Sequence, residues 1–194
     1  PIKNLKNMKK INLLMLILIA AFGFTGQAQS LHFGVKGGAN FASLTGSDAD
    51  GLDGRTSFHF GGVVVIGISE KFAVQPELVY SSQGFKISES GFDGTGKLDY
   101  INIPILADIN LSSGFSLQVG PQIGFNITDK FEIEGQSESL DAESIDFGLA
   151  GGAQFKMESG LFFQARYAMG LSDVASDGTI KNSVFSLSIG YFFL

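Results

Sequence analysis

Apolar and polar residues alternate with a period of two along almost the whole chain after residue 30, and this period constrains the fold more than any other feature. A two-residue period puts successive side chains on opposite faces of extended strands and is incompatible with an amphipathic helix. In "NSVFSLSIGYFFL", Phe185, Leu187, Ile189, Tyr191 and Phe193 share one face while Ser186, Ser188 and Gly190 share the other. "LFFQARYAMGLS" sets Leu161, Phe163, Ala165, Tyr167, Met169 and Leu171 against Gln164, Arg166, Ala168, Gly170 and Ser172. "FSLQVGPQIGFNIT" repeats the pattern, and no long stretch beyond the first 28 residues carries an apolar stripe of helical period.

The alternation divides into eight segments, at 31–44, 56–68, 72–87, 97–109, 115–128, 144–156, 160–172 and 182–194. Their connections run long, short, long, short, long, short, long. "SEK", "NLSSG" and "MESG" are tight, whereas "TGSDADGLDGR", "SESGFDGTG", Asp129 to Glu143 and "DVASDGTIK" are longer and polar. Tight turns at one end and polar loops at the other describe an antiparallel up-and-down barrel of the outer-membrane kind. Each segment exceeds the roughly 9–11 residues that a tilted membrane strand requires. Eight strands also leave a lumen that side chains can fill. The fold expected is therefore all-β, an eight-stranded antiparallel transmembrane β-barrel.

The 194-residue chain opens with "MKKINLLMLILIAAFGFTGQAQS" from Met8: two lysines, an apolar run to about Phe24, then a small-x-small site at Gly26-Gln27-Ala28. That is the anatomy of a secretory signal peptide, and the apolar run is short for a spanning helix. Residues 1–28 are expected to be a leader and residues 29–194 a single barrel domain. The leader takes Lys3, Lys6, Lys9 and Lys10 with it and no acid, so nine of the 13 basic residues remain against 19 acidic ones. Nucleic acid is excluded as a partner, since phosphate recognition needs clustered Lys and Arg. With no cysteine, the chain has neither a disulfide framework nor a thiolate metal site.

Alternation alone leaves two orientations open. A soluble secreted barrel would point its apolar face inward; a membrane barrel points it outward. The polar faces carry Gly, Ser, Gln, Asn and Ala, which suit a narrow self-filled lumen. The apolar faces place Phe33, Phe41, Phe58, Phe60, Phe72, Tyr80, Phe115, Phe125, Phe163 and Tyr191 near strand ends, as interfacial girdles do. The membrane orientation follows. "FGVKGGANFASL", "VQPELVYSSQGF", "LDYINIPILADI" and "LQVGPQIGF", followed by an aromatic last strand, resemble the PorT-like outer-membrane β-barrel family over residues 29–194. The resemblance implies a bacterial outer-membrane location and this barrel fold far more than a role: the name-giving member is tied to a cell-surface secretion system, and most members have no assigned activity. Leu194 departs from the terminal Phe commoner in such proteins.

Three groups of residues are candidates for chemistry. Gly34, Gly37 and Gly38 match neither G-x-x-x-x-G-K-[ST] nor G-x-G-x-x-G, so no phosphate loop is present. His32 is expected at the tight-turn rim and His59 near the opposite end, each without an acid beside it in sequence, so no Ser–His–carboxylate site is expected. The polar faces also carry Lys36, Glu77, Asp108, Asp146, Lys156 and Arg166. Lys36, Glu77 and Arg166 lie five or six residues from the tight turns. Because an unpaired buried charge is costly, Glu77 is expected to meet Arg166, Lys36 or both, lined by Gln75, Gln118, Gln122 and Gln164. The acidic third loop (Asp129, Glu132, Glu134, Glu138, Asp141, Glu143) is a candidate surface contact, and its flanking strands are expected to project from the membrane. No cofactor, metal or catalysis is expected. The expected role is structural, surface-interacting or secretion-associated, with outer-membrane lipid, lipopolysaccharide or a surface protein as partner. A small-molecule channel is the alternative; a soluble lipocalin-like barrel or a membrane lipid enzyme stands behind it.

Overall fold

The structure is a computed structural model that describes residues 30–47, 49, 51–89, 92–133, 136–140, 142–174 and 179–193. The leader expected over residues 1–28, Glu134 and Asp141 of the acidic loop, and Leu194 lie outside the described residues. The strands are β1 (Leu31–Thr45), β2 (Asp53–Gly67), β3 (Phe72–Glu89), β4 (Phe92–Ser112), β5 (Phe115–Ile133), β6 (Gln136–Ser139), β7 (Ile145–Lys156), β8 (Leu161–Gly170) and β9 (Lys181–Phe193). Each neighbouring pair is antiparallel, and β9 pairs with β1 from Phe33↔Phe193 to Thr45↔Lys181. That pairing closes β1, β2, β3, β4, β5, β7, β8 and β9 into a ring. Closure leaves no strand edge within the wall, as a bilayer demands.

The faces are inverted relative to a water-soluble protein. Phe33 is 53% exposed and Leu78 57%, while Gln75 is fully buried and Gln118 is 2% exposed. Outward side chains gather in aromatic rows. Phe115, Phe155 and Phe163 are register neighbours near the tight turns. Phe41, Phe185 and Tyr167 are neighbours nearer the loops. The apolar face therefore meets lipid, and the soluble-barrel orientation does not hold.

The long-loop end differs from the sequence expectation in two places. "SESGFDGTG" reads as a loop, yet most of it is strand: β3 and β4 continue to pair through Ser88↔Asp93 and Glu89↔Phe92. Glycine-rich strands are weak because they bury little side chain. Here the Phe131 ring lies over Gly94 and the Phe85 ring over Gly96, and the two rings stack with centroids 6.1 Å apart. Aromatic cover of strand glycines restores the lost contact. The second difference is β6, a ninth strand that pairs with β5 alone through Lys130↔Ser139 to Ile133↔Gln136. The projecting sheet is thus built from β3, β4, β5 and β6. "ESIDFG" is not part of it, because β7 begins at Ile145 opposite Phe125, within the ring.

Gly38 shows what a narrow ring requires of its wall. A Cβ built there would sit inside the van der Waals radius of the Leu187 carbonyl across the closing β1–β9 pair. Gly38→Ala is expected to cost about 1–3 kcal/mol, the usual cost of overpacking, read as a lower urea midpoint for the refolded barrel in detergent.

Candidate functional site

The inward positions of β3, β8 and β1 meet at mid-lumen. β3 turns Gln75 and Glu77 inward, β8 Gln164 and Arg166, and β1 Lys36, all of them buried. Glu77 is the centre. Its Oε2 lies 2.7 Å from Lys36 Nζ and accepts from Arg166 Nη1 at 2.7 Å. Arg166 Nη2 donates to Glu77 Oε1 at 2.7 Å, making the fork-to-fork pairing that guanidinium geometry favours. Glu77 therefore meets both cations.

Glutamines complete the layer. Lys36 Nζ donates to Gln164 Oε1 at 2.9 Å and Gln75 Nε2 to Glu77 Oε1 at 2.8 Å. Gln118 accepts from Arg166 at 3.1 Å and from Gln164 at 2.8 Å, and its amide donates to Asp108 Oδ2 at 2.6 Å. Asp108, 4% exposed, thus joins one residue removed from Glu77. Two buried cations and two buried carboxylates make a formally neutral set, and their pairing offsets part of the cost of burying charge in the lumen.

Other expected lumen residues lie elsewhere. Asp146 sits toward the loops, accepting from Asn182 at 2.9 Å and Ser172 at 2.7 Å. Lys156 sits at the tight-turn end, its Nζ 5.2 Å from the centroid of the Phe192 ring. Gln122 borders a cavity on the loop side of the layer, and Gln154, absent from the sequence expectation, accepts from Gln164 Nε2 through its Oε1 at 3.2 Å.

His59 is not near the rim. It is 4% exposed at mid-lumen, and its partners come from strands distant in sequence. Asn40 uses its amide hydrogens on Ser81 Oγ and the Ser82 carbonyl, which leaves Oδ1 to accept from His59 Nδ1 at 2.8 Å. His59 Nε2 is then the acceptor for the Ser188 hydroxyl, also at 2.8 Å. The sequence holds no signal for this clasp because its members lie on β1, β2 and β9 and meet only once the ring closes.

Two closures bound the polar layer. On the tight-turn side Phe162 and Phe192 stack with centroids 4.5 Å apart, packed with Val63 and Val65. On the loop side Leu44, Phe85, Leu98, Tyr100 and Val174 form an apolar cluster. Between the layer and the loop-side closure lies a cavity of about 40 Å³ bordered by Lys36, His59, Gln83 and Arg166. Arg166 Nε and Gln83 Oε1 are buried without a protein partner among the described residues. The cavity has room for about two or three waters that would serve both. A larger cavity of about 420 Å³ lies at the tight-turn end.

The family model for the outer membrane protein beta-barrel domain matches residues 27–176. The crystal structure of Neisserial surface protein A aligns at TM-score 0.58 with 16% identity, over 86% of this chain and all (100%) of that one. Ail, the attachment invasion locus protein of Yersinia pestis, aligns at TM-score 0.56 with 20% identity, over 84% of this chain and 98% of that one. A crystal structure of Ail in complex with the heparin analogue sucrose octasulfate gives the same TM-score of 0.56 and 20% identity, over 84% and 99% of the two chains. No curated protein sequence matches the chain. At these identities the likeness to solved structures is one of fold, whereas the family match spans most of the chain. An outward apolar wall, a closed eight-strand ring and that match together place the protein in the bacterial outer membrane, as a member of the outer membrane protein beta-barrel domain family.

Proposed function

We propose that this barrel is sealed and non-catalytic, and that its work is done at the loop end, as a surface-interacting or secretion-associated membrane protein. The observation that carries the reading is the filled lumen, in which a neutral charge layer is flanked by two apolar closures. In sequence, all but four of the 19 acidic residues (Glu70, Glu77, Asp108 and Glu158) fall in or beside the segments that link strands at the loop end. A concentrated negative field at one end steers partners by charge. It favours cationic protein surfaces, or lipopolysaccharide bridged by divalent cations, and disfavours sulfated sugars such as the analogue bound by Ail. The sheet of β3, β4, β5 and β6 that projects at this end adds the surface for such a partner. The PorT-like signatures "QPELVYS" and "YINIPIL" support the secretion-associated form of this role.

The enzyme alternative is disfavoured by access. Ser188–His59–Asn40 has the hydrogen-bond order of a nucleophile relay, but Ser188 is 7% exposed and borders neither lumen cavity, so an acyl group has no approach. A clasp holding β9, β2 and β1 together suits these distances. The channel alternative is tested by liposome swelling. Proteoliposomes are expected to show no more swelling in small sugars or amino acids than empty liposomes, and size-dependent swelling would favour the channel. Replacing residues 130–140 by a short turn is expected to leave barrel assembly intact and abolish surface binding. Unchanged binding would remove the projecting sheet from the role.

A further inference from the structure

We propose that the tight-turn-end cavity is a binding site for a small alkylammonium cation, with Asp108 and the face of Phe192 as its fixed contacts. This goes beyond the loop-end role and stands independently of it. The cavity, about 420 Å³, is bordered by Glu70, Asp108, Glu158, His32, Lys156 and Phe192 among others, a volume within the ordinary range for small-molecule sites.

Asp108 is the built element. It is 4% exposed, and one oxygen, Oδ2, is fixed by Ser116 at 3.1 Å and Gln118 at 2.6 Å. The other oxygen, Oδ1, has no protein partner among the described residues, and the residue borders the cavity. A carboxylate so held presents a pre-organised acceptor to whatever enters, and a charged donor is the partner that rewards it most. With Asp108 already counted in the neutral layer, Glu70 and Glu158 border the space against Lys156 alone, an excess of one negative charge, so its electrostatic preference is for a cation.

Phe192 supplies the second contact, and the chain already shows what suits it. The Lys156 ammonium stands 5.2 Å from the ring centroid, within cation–π range. No carboxylate lies within ion-pair distance of Lys156 among the described residues. A tethered alkylammonium therefore occupies the ring face without an ion pair, and a free one of similar shape would displace it. The mouth opens on the side of the tight turns, which in this family faces the periplasm, so the ligand would arrive from there.

The test titrates 1,5-diaminopentane into the refolded full barrel in detergent micelles, by calorimetry or amide chemical shifts, with 1,5-pentanediol as the uncharged control. Saturable one-to-one binding of the diamine and none of the diol are expected. Asp108→Asn is expected to weaken binding about tenfold, the loss of one charge-assisted contact. Lys156→Met, which vacates the ring face, is expected to strengthen it several-fold. Heat-modifiable gel mobility checks that each variant is folded. Should Asp108→Asn fail to fold, Lys156→Met decides alone. Absence of saturable binding to both the wild type and Lys156→Met would overturn the proposal. So would equal binding by folded Asp108→Asn, or Lys156→Met binding no more tightly than the wild type.

Discussion

Glu77→Gln is expected to lose about 3–5 kcal/mol of unfolding free energy in urea, the cost of removing one partner from a buried charge pair. The cause is what remains behind. Lys36 and Arg166 are 6% and 5% exposed, and without the carboxylate two like charges face each other with their one remaining anion, Asp108, held off by Gln118. A glutamine offers one acceptor oxygen and turns a donor NH2 toward the cations, where Glu77 now uses two oxygens for four contacts, from Lys36, Gln75 and both Arg166 nitrogens. Neutralising one cation as well, in Glu77→Gln with Lys36→Met, is expected to recover a substantial part of the loss. The balance of charge, more than the ion pair itself, then decides stability. The urea midpoint, followed by the folded band on unheated gels, measures both. A Glu77→Gln barrel as stable as the wild type would show that water reaches the layer and screens it.

Phe162→Ala is expected to cost about 3–5 kcal/mol by the cavity it leaves. Phe162 is fully buried, stacked on Phe192, and its ring occupies the space where a side chain at residue 190 would stand. Large neighbours on β8 and β9 are therefore accommodated by Gly190. The variant extends the tight-turn cavity up to the charge layer, yet that layer still closes the lumen. Loss of stability without gain of ion flow is the expected pair of results. A loss below about 1 kcal/mol would mean that the Phe192 ring closes the space by itself.

Much of this architecture is legible in the chain because a two-residue period and the lengths of the connections are local properties. Lys36, Glu77 and Arg166 could be drawn together from sequence because inward parity and height above the tight turns are both countable. The inward aromatics could not. "LFFQ" and "YFFL" each hold two adjacent phenylalanines, so one of each pair must face the lumen, but the apolar period accounts only for the outward one. The opposing glycines, Gly34 and Gly190, were the available sign that a ring needed room.

Register is the other limit. His59 finds Ser188 across 129 residues of sequence, and a slip of one residue in the β1–β9 or β1–β2 pairing would turn the partners to the lipid side. The extended β3–β4 hairpin was hidden for a different reason. Its glycines read as a loop until the Phe85 and Phe131 rings are seen to cover them, and that contact depends on how β3, β4 and β5 align.

The most direct test of a sealed lumen is ion conductance of the purified, refolded protein in a planar lipid bilayer. Both closures and the Lys36–Glu77–Arg166 layer predict no steady single-channel current above baseline, for the wild type and for Phe162→Ala alike. A reproducible open-state current in the wild type, altered in size or selectivity by Glu77→Gln, would contradict the account and make this layer the filter of a channel.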